Sequence, residues 1–377
     1  MAAVAPAGGG QPPVSVAHLI YGLGLGGLEQ LVVQLCVRSR ENGIAPSVIA
    51  FGPDGPMRDA FEREQIPLRR IDAPGMSLAA LRGIRQALAS SGGQVIHAHD
   101  LGPWLNAVAV RALRPSVEVI ATFHEQRVPS GAIRRAAAVA ARFSFALVAC
   151  GKQVQIKIQR WAPAGTRVPL IENGVPLTAP IAERERALAR DRMGIPGEAI
   201  AIGYIGRLDV IKGPDCLLKG FLDRFGNRRD VHLALVGSGP LERKLRECAA
   251  GRSNVHFTGL VPDGARLLAG LDIYAQTSRS EGRSIAMLEA MAAGLPTVAS
   301  ALDPIREIHS DGKTALLVPP SDTGAIAGAL SRLCEDVPLR RLLGGAAREA
   351  VQQYSIDNTV DAYVALYREI ACNARAA

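Results

Sequence analysis

The segment VSVAHLIYGLGLGGLEQ, residues 14–30, has the pattern of a buried strand, a glycine-rich turn and the start of a helix. The apolar run at 14–20 precedes Gly22-x-Gly24-x-x-Gly27, which is the spacing of the dinucleotide-binding fingerprint of a Rossmann βαβ unit. Glycines at this place let the backbone approach a phosphate at a helix N-terminus. The segment therefore predicts an α/β fold and raises the question of which phosphate compound it binds.

The fingerprint lacks the acidic residue that a dinucleotide site requires. Such sites place an acid at the end of the second strand, about 20 residues after the glycines, where it binds the ribose hydroxyls. Here the second predicted strand ends at Phe51, and the first acid, Asp54, lies in the turn GPDGP. This disfavours an NAD-dependent dehydrogenase. Two interpretations stay open, a phosphate-side role for Gly26 and Gly27 or a tight turn without a ligand.

Short β-branched runs alternate with Ala/Leu/Arg-rich segments of helical length along most of the chain. This alternation predicts parallel sheets built from βαβ units. We predict strands at 14–20, 46–51, 67–71, 94–97, 117–122, 146–149, 168–171, 199–205, 231–236, 254–257, 271–275, 296–300 and 315–318. The pattern breaks at 172–198, which is rich in proline, glycine and charge, and we expect two similar domains to join there.

Length and composition bound the remaining possibilities. The 377 residues exceed one compact core, and 48% hydrophobic with 21% charged residues fits a soluble globular protein. No apolar stretch reaches the roughly 18–20 residues that span a bilayer, and residues 1–13 indicate a flexible tail rather than a signal peptide. The six cysteines are scattered, without metal-ligand spacing, which favours the cytoplasm and disfavours a structural zinc.

The densest chemical signal is DIYAQTSRSEGRSIAMLEAMAAGLPTVAS, residues 272–300. We predict a strand ending at Gln276 and a helix opening at Glu281-Gly282, with Glu289 two turns later. At 100° per residue the two glutamates are about 80° apart, which does not suit a paired-carboxylate acid–base site. Instead, the first amides of the helix point at an anion while the carboxylates accept hydrogen bonds from hydroxyls. The alternative is that both glutamates are ordinary helix charges.

A pair of cations follows the strand at 199–205. Arg207 and Lys212 lie five residues apart in the loop IGRLDVIKG, where ligands meet a parallel sheet. A planar guanidinium and a compact ammonium together suit a diphosphate. The alternative is two surface cations in a loop.

Six motifs carry a resemblance to a known family. They are GGLE (26–29), ENGV (172–175), IGRLDVIKG (205–213), VGSGPLE (236–242), VHFTG (255–259) and the E-x7-E helix (281–289), in this order. From about residue 14 the chain resembles family 4 of the nucleotide-sugar glycosyltransferases, which have the GT-B architecture. The resemblance implies two Rossmann-like domains with parallel sheets facing across a cleft, an acceptor-side domain at 14–175 and a nucleotide-sugar-binding domain at 176–352. It also implies a last helix, 353–377, that returns to the first domain.

The resemblance further implies a reaction. A sugar passes from a UDP- or GDP-linked donor to an acceptor hydroxyl with retention of configuration, and no cofactor takes part. The sequence contains no Asp-x-Asp pair, so we expect no catalytic metal. The acceptor is expected to be a lipid-linked, envelope or exopolysaccharide glycan. A sugar-nucleotide epimerase or hydrolase on the same fold and a non-catalytic binding scaffold remain alternatives.

Roles for single residues follow from the same resemblance. Arg207 and Lys212 hold the donor diphosphate, Glu289 the ribose and Glu281 the transferred sugar, and Val261 lies near the nucleobase. The phosphate cradle is completed by the backbone of Gly282, Arg283, Ser284, Ile285 and Ala286, with Gly26 and Gly27 from the other domain. His124 is the expected active-site histidine, near the 6-hydroxyl of the sugar.

Several positions leave questions open. Arg283-Ser284 stands where the family usually has an aromatic or glycine-containing segment, and Pro176 replaces the acid of the motif Asn-Gly-Val-Asp. His97 and His99 end a strand two residues apart, but a third metal ligand is not identifiable, so we expect them to line the cleft or to be structural.

One segment is basic without any acid. Residues 126–161 contain seven basic and no acidic residues. Arg127, Arg134, Arg135 and Arg142 recur at spacings of 7 and 8, with Ile133, Val139 and Phe143 on the adjoining face. This stripe suits an anionic membrane at the inner face of the cell, or a lipid-diphosphate-linked acceptor. No recognition module or aromatic interleaving favours nucleic acid. The alternative is a solvated helix face.

Overall fold

The computed structural model describes residues 13–73, 75–124, 129–177 and 181–376. The predicted tail therefore lies outside the described residues, except for Pro13. Two six-stranded sheets, each parallel throughout, form the centres of two domains. The expected fold class, α/β with two Rossmann-like domains, is confirmed.

The first sheet has the strand order β3-β2-β1-β4-β5-β6. Its strands are β1 (Val14–Ile20), β2 (Ile44–Ala50), β3 (Leu68–Arg70), β4 (Val95–His99), β5 (Glu118–Phe123) and β6 (Ala146–Ala149). The helices are α1 (Gly27–Ser39), α2 (Met57–Arg63), α3 (Leu78–Ser91), α4 (Leu101–Leu113), α5 (Gly131–Ala141) and α6 (Lys152–Trp161), with a 3₁₀ turn at Arg40–Asn42. Every residue of β1 is buried, as expected for a strand covered by helices on both faces.

The second sheet repeats the plan in the order β12-β11-β10-β7-β8-β9. Its strands are β7 (Ile200–Ile205), β8 (Val231–Val236), β9 (Val255–Gly259), β10 (Ile273–Gln276), β11 (Thr297–Ser300) and β12 (Leu316–Val318). The helices are α7 (Glu183–Met193), α8 (Pro214–Phe225), α9 (Glu242–Cys248), α10 (Ile285–Ala292), α11 (Asp303–Arg306), α12 (Thr323–Glu335) and α13 (Val337–Ala350), with 3₁₀ helices at Gly264–Gly270 and Val351–Tyr354.

The last helix, α14 (Ile356–Ala376), packs on the first domain. Its apolar face, including Tyr363 and Tyr367, shares a core with Val14 and Val16 of β1 and Leu31 of α1. The chain passes between the domains twice, and the two passages pair at Val175 and Ser355. Two adjacent crossings of this kind suit a hinge between the domains.

One predicted strand is not a strand. Residues 168–171 contribute only a single bridge, between Leu170 and Ala149 of β6. Pro169 lies inside the segment, and proline cannot donate a hydrogen bond to a ladder. The remaining predicted strands are present, with ends displaced by one or two residues.

Candidate active site

In both sheets the strand order reverses at one point, between β1 and β4 in the first and between β10 and β7 in the second. Ligands of doubly wound sheets bind outside the carboxyl ends of the strands at such a switch point. The loops after β7 and β10 carry the predicted donor residues, and the loops after β1 and β4 carry the glycine turn and the histidines. The topology therefore brings both groups of residues to the carboxyl edges of the sheets.

Glu281 is the centre of the polar network in the second domain. Lys212 Nζ donates to both of its carboxylate oxygens, at 2.9 and 2.8 Å. Gln276 Nε2 donates to Oε1 at 2.7 Å, and Ser278 Oγ donates to the same oxygen at 2.6 Å. The Glu281 side chain is only 2% exposed, so its charge is held by these donors rather than by water.

The two predicted diphosphate-binding cations are thus paired with carboxylates in the free protein. Lys212 contacts Glu281, and its side chain is 31% exposed. Arg207 pairs with Asp209, two residues along the same loop, and its side chain is 60% exposed. Both cations keep a solvent-facing part, which an incoming anion could contact.

The helix after β10 begins later than its sequence predicts. It starts at Ile285 rather than at Glu281-Gly282, because the Ser284 side chain caps it by accepting from Met287 N at 3.3 Å. Glu281 and the half-buried Gly282 therefore lie in the loop before the helix. The first amides of the helix, those of Ile285 and Ala286, need partners outside it.

Glu289 lies in the second turn of α10 and is half-buried. Burial raises the pKa of its carboxyl to about 7. A hydrogen-bonding ligand that donates to this carboxylate would favour its charged form.

The N-termini of α1 and α10 meet across the cleft. A Cβ added to Gly27, the first residue of α1, would lie 3.1 Å from Cβ of Ile285, the first residue of α10. Gly26 precedes α1 as its N-cap residue in extended conformation. Nearby, Gln30 Nε2 approaches the carbonyl of Pro262 at 3.5 Å, next to the half-buried Val261. The first residues of the two helices are thus close together, and each helix N-terminus carries a partial positive charge.

His124 follows β5 and has partners on both ring nitrogens. Nε2 lies 3.2 Å from His99 Nδ1, and Nδ1 lies 3.4 Å from Asn173 Nδ2. The backbone amide of His124 donates to Asp100 Oδ1 at 2.8 Å. Asp100 itself has a φ of 67°, a conformation that is costly for a residue other than glycine and persists only where its surroundings impose it.

Three further histidines are buried behind His124. His18, His97 and His99 are at most 1% exposed, and ligand atoms of all three lie within 4.8 Å of one another. His18 on β1 is the third histidine that the sequence pattern did not identify. Both nitrogens of His97 are engaged, by Tyr367 Oη at 2.6 Å and by Thr122 Oγ1 at 2.7 Å. The cluster is therefore a hydrogen-bonded network in this structure.

The direction of the hydrogen bonds in this network can be assigned. Because Asn173 donates to His124 Nδ1, His124 carries its proton on Nε2 and donates to His99 Nδ1. His99 then donates from Nε2 to His18 Nδ1 at 3.2 Å. Burial holds the pKa of His99 well below its usual range and lowers that of His18 to about 3, so these rings are neutral.

The prediction assigns only the backbone of Arg283 to the phosphate cradle. Its side chain reaches the first domain, where Nε donates to the Cys150 carbonyl at 3.0 Å. Its guanidinium also pairs with Glu172 and with Glu307, and it lies 4.8 Å from the centre of the Tyr354 ring. The side chain is 2% exposed, so the residue that departs from the family pattern serves the domain interface.

The described part of the basic segment comprises helix α5 with its C-cap Arg142, strand β6 and helix α6. Arg127 lies outside the described residues, so the predicted stripe is tested only from residue 131 onward. At 100° per residue Arg135, Val139, Arg142 and Phe143 fall within about 100° of arc, and all four are exposed. None of the described helices is both long and apolar enough to cross a membrane.

Sequence reasoning missed four polar residues of the site. Gln276, Ser278, Asp100 and Asn173 hold Glu281 or His124 in place. Gln276 and Ser278 lie within the segment that was singled out, and Asp100 follows His99 directly. Their position at strand ends was the available signal.

Two parallel α/β domains, with two opposed helix N-termini and paired charges at the switch points between them, define a protein of the GT-B class. A model of Glycosyltransferase Family 4 matches residues 25–179, and a model of Glycosyl transferases group 1 matches residues 199–336. A phosphatidyl-myo-inositol mannosyltransferase of Mycobacterium leprae is 30% identical over 366 residues, 92% of this chain and 94% of its own length. The chain therefore belongs to glycosyltransferase family 4.

Two other comparisons either cover less of the chain or have a lower sequence identity. A D-inositol 3-phosphate glycosyltransferase of Saccharomonospora viridis is 32% identical over 198 residues, 49% of this chain and 46% of its own length. The chain thus spans about half the length of that relative. The crystal structure of Anabaena HepE in complex with UDP and glucose aligns with a TM-score of 0.81 at 19% identity, over 93% of this chain and 98% of HepE. At that identity the likeness shows the fold alone.

Proposed function

We propose that the protein is a retaining glycosyltransferase that moves a sugar from a UDP- or GDP-linked donor to an acceptor hydroxyl, without a metal ion or a cofactor. The observation that carries the proposal is the meeting of the α1 and α10 N-termini beside the Lys212–Glu281 pair. Two sets of helix-end amides with adjacent cations form a site for a multiply charged anion. A nucleotide diphosphate has that charge.

The ion pairs of the free protein indicate how the donor enters. The diphosphate takes Glu281's place as partner of Lys212 and Asp209's place as partner of Arg207. Glu281, still held by Gln276 and Ser278, then accepts hydrogen bonds from hydroxyls of the transferred sugar. Lys212 thereby stabilises the charge that grows on the leaving diphosphate, which is the largest catalytic effect expected of this site.

The reaction step needs no protein nucleophile. The bond from the anomeric carbon to the diphosphate breaks, and the acceptor oxygen bonds to the same face of that carbon. The acceptor proton passes to a phosphate oxygen of the leaving group. His124 borders the sugar, and its Nδ1 turns to the 6-hydroxyl when it leaves the long 3.4 Å contact with Asn173.

The rest of the donor occupies the second domain. Glu289, whose raised pKa marks a poorly solvated carboxyl, accepts from the ribose hydroxyls. The nucleobase lies near Val261, after β9. The names of the compared proteins support this donor class, since HepE was crystallised with UDP and glucose and the mycobacterial relative is a mannosyltransferase.

Thermal melting of the purified protein with UDP, GDP, ADP and NAD⁺ tests the donor site. A ligand at 100 times its Kd stabilises the folded state by about 2.7 kcal/mol, which raises the melting temperature by several degrees. We expect a shift with UDP or GDP that Glu289→Ala weakens. A shift with NAD⁺ alone would contradict the proposal.

Product analysis tests the reaction. Anomeric NMR of the product should show the configuration of the donor. Sugar or an epimer released at the same rate without acceptor would favour the hydrolase or epimerase alternative. Nucleotide binding without turnover would favour the scaffold.

We further propose that the protein works at the cytoplasmic face of an anionic membrane on a lipid-linked or envelope glycan. The exposed Arg135 and Arg142 lie beside Val139 and Phe143, whose exposed fractions are 51% and 49%. Cations next to exposed apolar side chains suit a surface of anionic lipids. The neighbouring helix α6 adds the exposed Lys152.

Vesicle flotation tests this surface. We expect binding to vesicles with phosphatidylglycerol and none to pure phosphatidylcholine, with loss in the double variant Arg135→Glu/Arg142→Glu. Arg82→Glu/Arg85→Glu, on the exposed face of α3, makes the same charge change elsewhere in the domain and serves as the control. Equal loss in both variants would indicate net charge alone.

A further inference from the structure

A cavity of about 270 Å³ opens at the switch point of the first sheet. Tyr21 and Gly24, after β1, form one wall, and Asp54, after β2, forms a second. His99 and Asp100, at the end of β4, close the third side. The ends of β2, β1 and β4, which are neighbours in the sheet, thus line the cavity. A doubly wound sheet binds its ligand at this place.

Two residues of the cavity wall, His99 and Asp100, contact His124, the histidine of the predicted reacting centre. Asp100 accepts from the backbone amide of His124 at 2.8 Å, and His99 lies 3.2 Å from the His124 ring. A molecule in the cavity therefore lies within one residue of the histidine that borders the transferred sugar. A cavity of about 340 Å³ at the other end of α1, lined by Arg38 and Asp357, has no such connection.

The lining is acidic. Glu29, Asp54 and Asp100 belong to it, and none of its described residues is a lysine or an arginine. Asp54 is neutralised by Arg58, whose Nη2 donates to it at 2.8 Å. Glu29 and Asp100 form no ion pair with any described residue. Among the residues that the structure describes, the cavity therefore presents two carboxylates without a cation.

The negative charge of Asp100 disfavours the charged form of Glu29. Burial, together with the negative charge of Asp100, raises the pKa of Glu29 to about 7. A phosphate or carboxylate in the cavity would add a third negative group to this space. An ammonium would relieve the repulsion and leave the carboxylate oxygens to accept from it and from neighbouring hydroxyls.

We propose that this cavity is the acceptor subsite and that it selects a hydroxyl-rich acceptor bearing a protonated amine, such as an amino sugar or aminocyclitol. This inference rests on the proposed function, because it takes the cavity to hold the acceptor opposite the donor. In this arrangement the amine of the acceptor contacts Glu29 and Asp100, and its reacting hydroxyl faces His124. An anionic lipid portion of the acceptor would then lie outside the cavity.

Equilibrium binding of matched monosaccharides tests the inference on the full chain. Saturation-transfer NMR at pH 7, in the presence of UDP or GDP, would compare glucosamine, N-acetylglucosamine, glucose and glucose 6-phosphate. We expect glucosamine to bind about tenfold more tightly than glucose and N-acetylglucosamine, since charge-assisted hydrogen bonds are about twice as strong as neutral ones. Glucose 6-phosphate should bind most weakly.

Two variants of the cavity test which residues cause the preference for glucosamine. Glu29→Gln and Asp100→Asn keep the shapes of the side chains, and each should abolish most of the glucosamine advantage. Asn can still accept from the His124 amide and tolerates the positive φ of residue 100. Glu64→Gln, at an exposed position of the same domain, removes a negative charge outside the cavity and should leave the advantage intact.

The outcomes separate this inference from the proposed function. Nucleotide binding in the same samples, together with equal binding of glucose and glucosamine, tighter binding of glucose 6-phosphate, or no binding of glucosamine, would overturn the inference alone. An advantage that survives in both cavity variants would also overturn it. Failure of UDP and GDP to bind would instead contradict the proposed function.

Discussion

In the second domain the two cations that face the cleft are paired with carboxylates, whereas in the first domain burial keeps the clustered histidines neutral and raises the pKa of Glu29. Lys212 is paired with Glu281 and Arg207 with Asp209. The imidazoles of His18 and His99 stay uncharged, and the carboxyl of Glu29 has a pKa of about 7.

The difference matches what each side is proposed to bind. A diphosphate can replace Glu281 as partner of Lys212, because one charge pair exchanges for another and Glu281 keeps its hydrogen bonds from Gln276 and Ser278. A hydroxyl acceptor carries less charge, and a surface with neutral rings and few unpaired cations does not compete with the donor site for anions. The charges of the two domains thus direct the donor to the second domain and the acceptor to the first.

Glu281→Gln tests the ion pairs of the second domain most directly, and we expect this substitution to have the largest effect on kcat. The amide cannot balance Lys212 and accepts more weakly from sugar hydroxyls, so kcat should fall by about 10²–10³. Steady-state kinetics with the identified donor measures this. Glu242→Gln, which breaks the exposed pair with Arg246, should change kcat by less than twofold. If Glu281→Gln kept kcat within threefold, the central role of the Lys212–Glu281 pair would be wrong.

His99→Phe tests the neutral side. The substitution keeps an aromatic ring in the core but removes the hydrogen bonds to His18 and His124. We expect kcat to fall about tenfold, because His124 loses the partner that fixes its ring and tautomer. His99→Gln should restore part of the loss.

The matched control for that experiment lies in the second domain. His232 and His256 also form a histidine pair, at 2.8 Å, away from the cleft residues. His256→Phe should leave kcat unchanged. An equal loss in both variants would show that the effect is one of stability.

Much of this contrast could be predicted from sequence, and the rest depends on tertiary contacts. The glycine turn, the two cations and the E-x7-E segment are local patterns, so their places at strand ends followed from the βαβ alternation. The meeting of His18 with His99 joins residues 81 positions apart and depends on the reversal of strand order. The interface contacts of the Arg283 side chain could not be predicted, because its partners Cys150 and Glu172 belong to the other domain. The start of α10 was misplaced because Ser284, rather than Glu281, is the capping residue.

Acidification should destabilise the first domain before the second. A histidine with a lowered pKa in the folded state takes up a proton only on unfolding, so its contribution is complete above about pH 6.5 and is lost as the pH falls. Each such histidine contributes a slope of about 1.4 kcal/mol per pH unit to the free energy of unfolding below pH 6.5. Three histidines with a lowered pKa, His18, His97 and His99, lie in this domain, whereas two, His256 and His309, lie in the second.

Tryptophan fluorescence can follow that transition selectively. Both tryptophans, Trp104 and Trp161, are buried in the core of the first domain. The fluorescence-detected midpoint in urea should fall between pH 7 and pH 5, and His18→Gln should reduce the slope. A midpoint independent of pH in this range would contradict the assignment of neutral histidines.

The smallest effect is expected where the two sides meet, at Arg283. Arg283→Met keeps an unbranched apolar stem over the Tyr354 ring but removes the bonds to Cys150, Glu172 and Glu307. Since the bonds to Cys150 and Glu172 join the loop before α10 to the first domain, their loss should loosen the closed arrangement of the cleft. We expect the KM for the donor to rise a few-fold with a smaller change in kcat, because closure contributes to donor binding before the chemical step.

The control for Arg283 is the neighbouring arginine of the same loop. Arg279 pairs with Asp215 inside the second domain, so Arg279→Met removes a similar ion pair without touching the interface. Small-angle scattering should show a larger radius of gyration for Arg283→Met than for Arg279→Met. If both variants had the wild-type radius and the wild-type KM, the interface contacts of Arg283 would be structural only, and closure would depend on the adjacent crossings at Val175 and Ser355 instead.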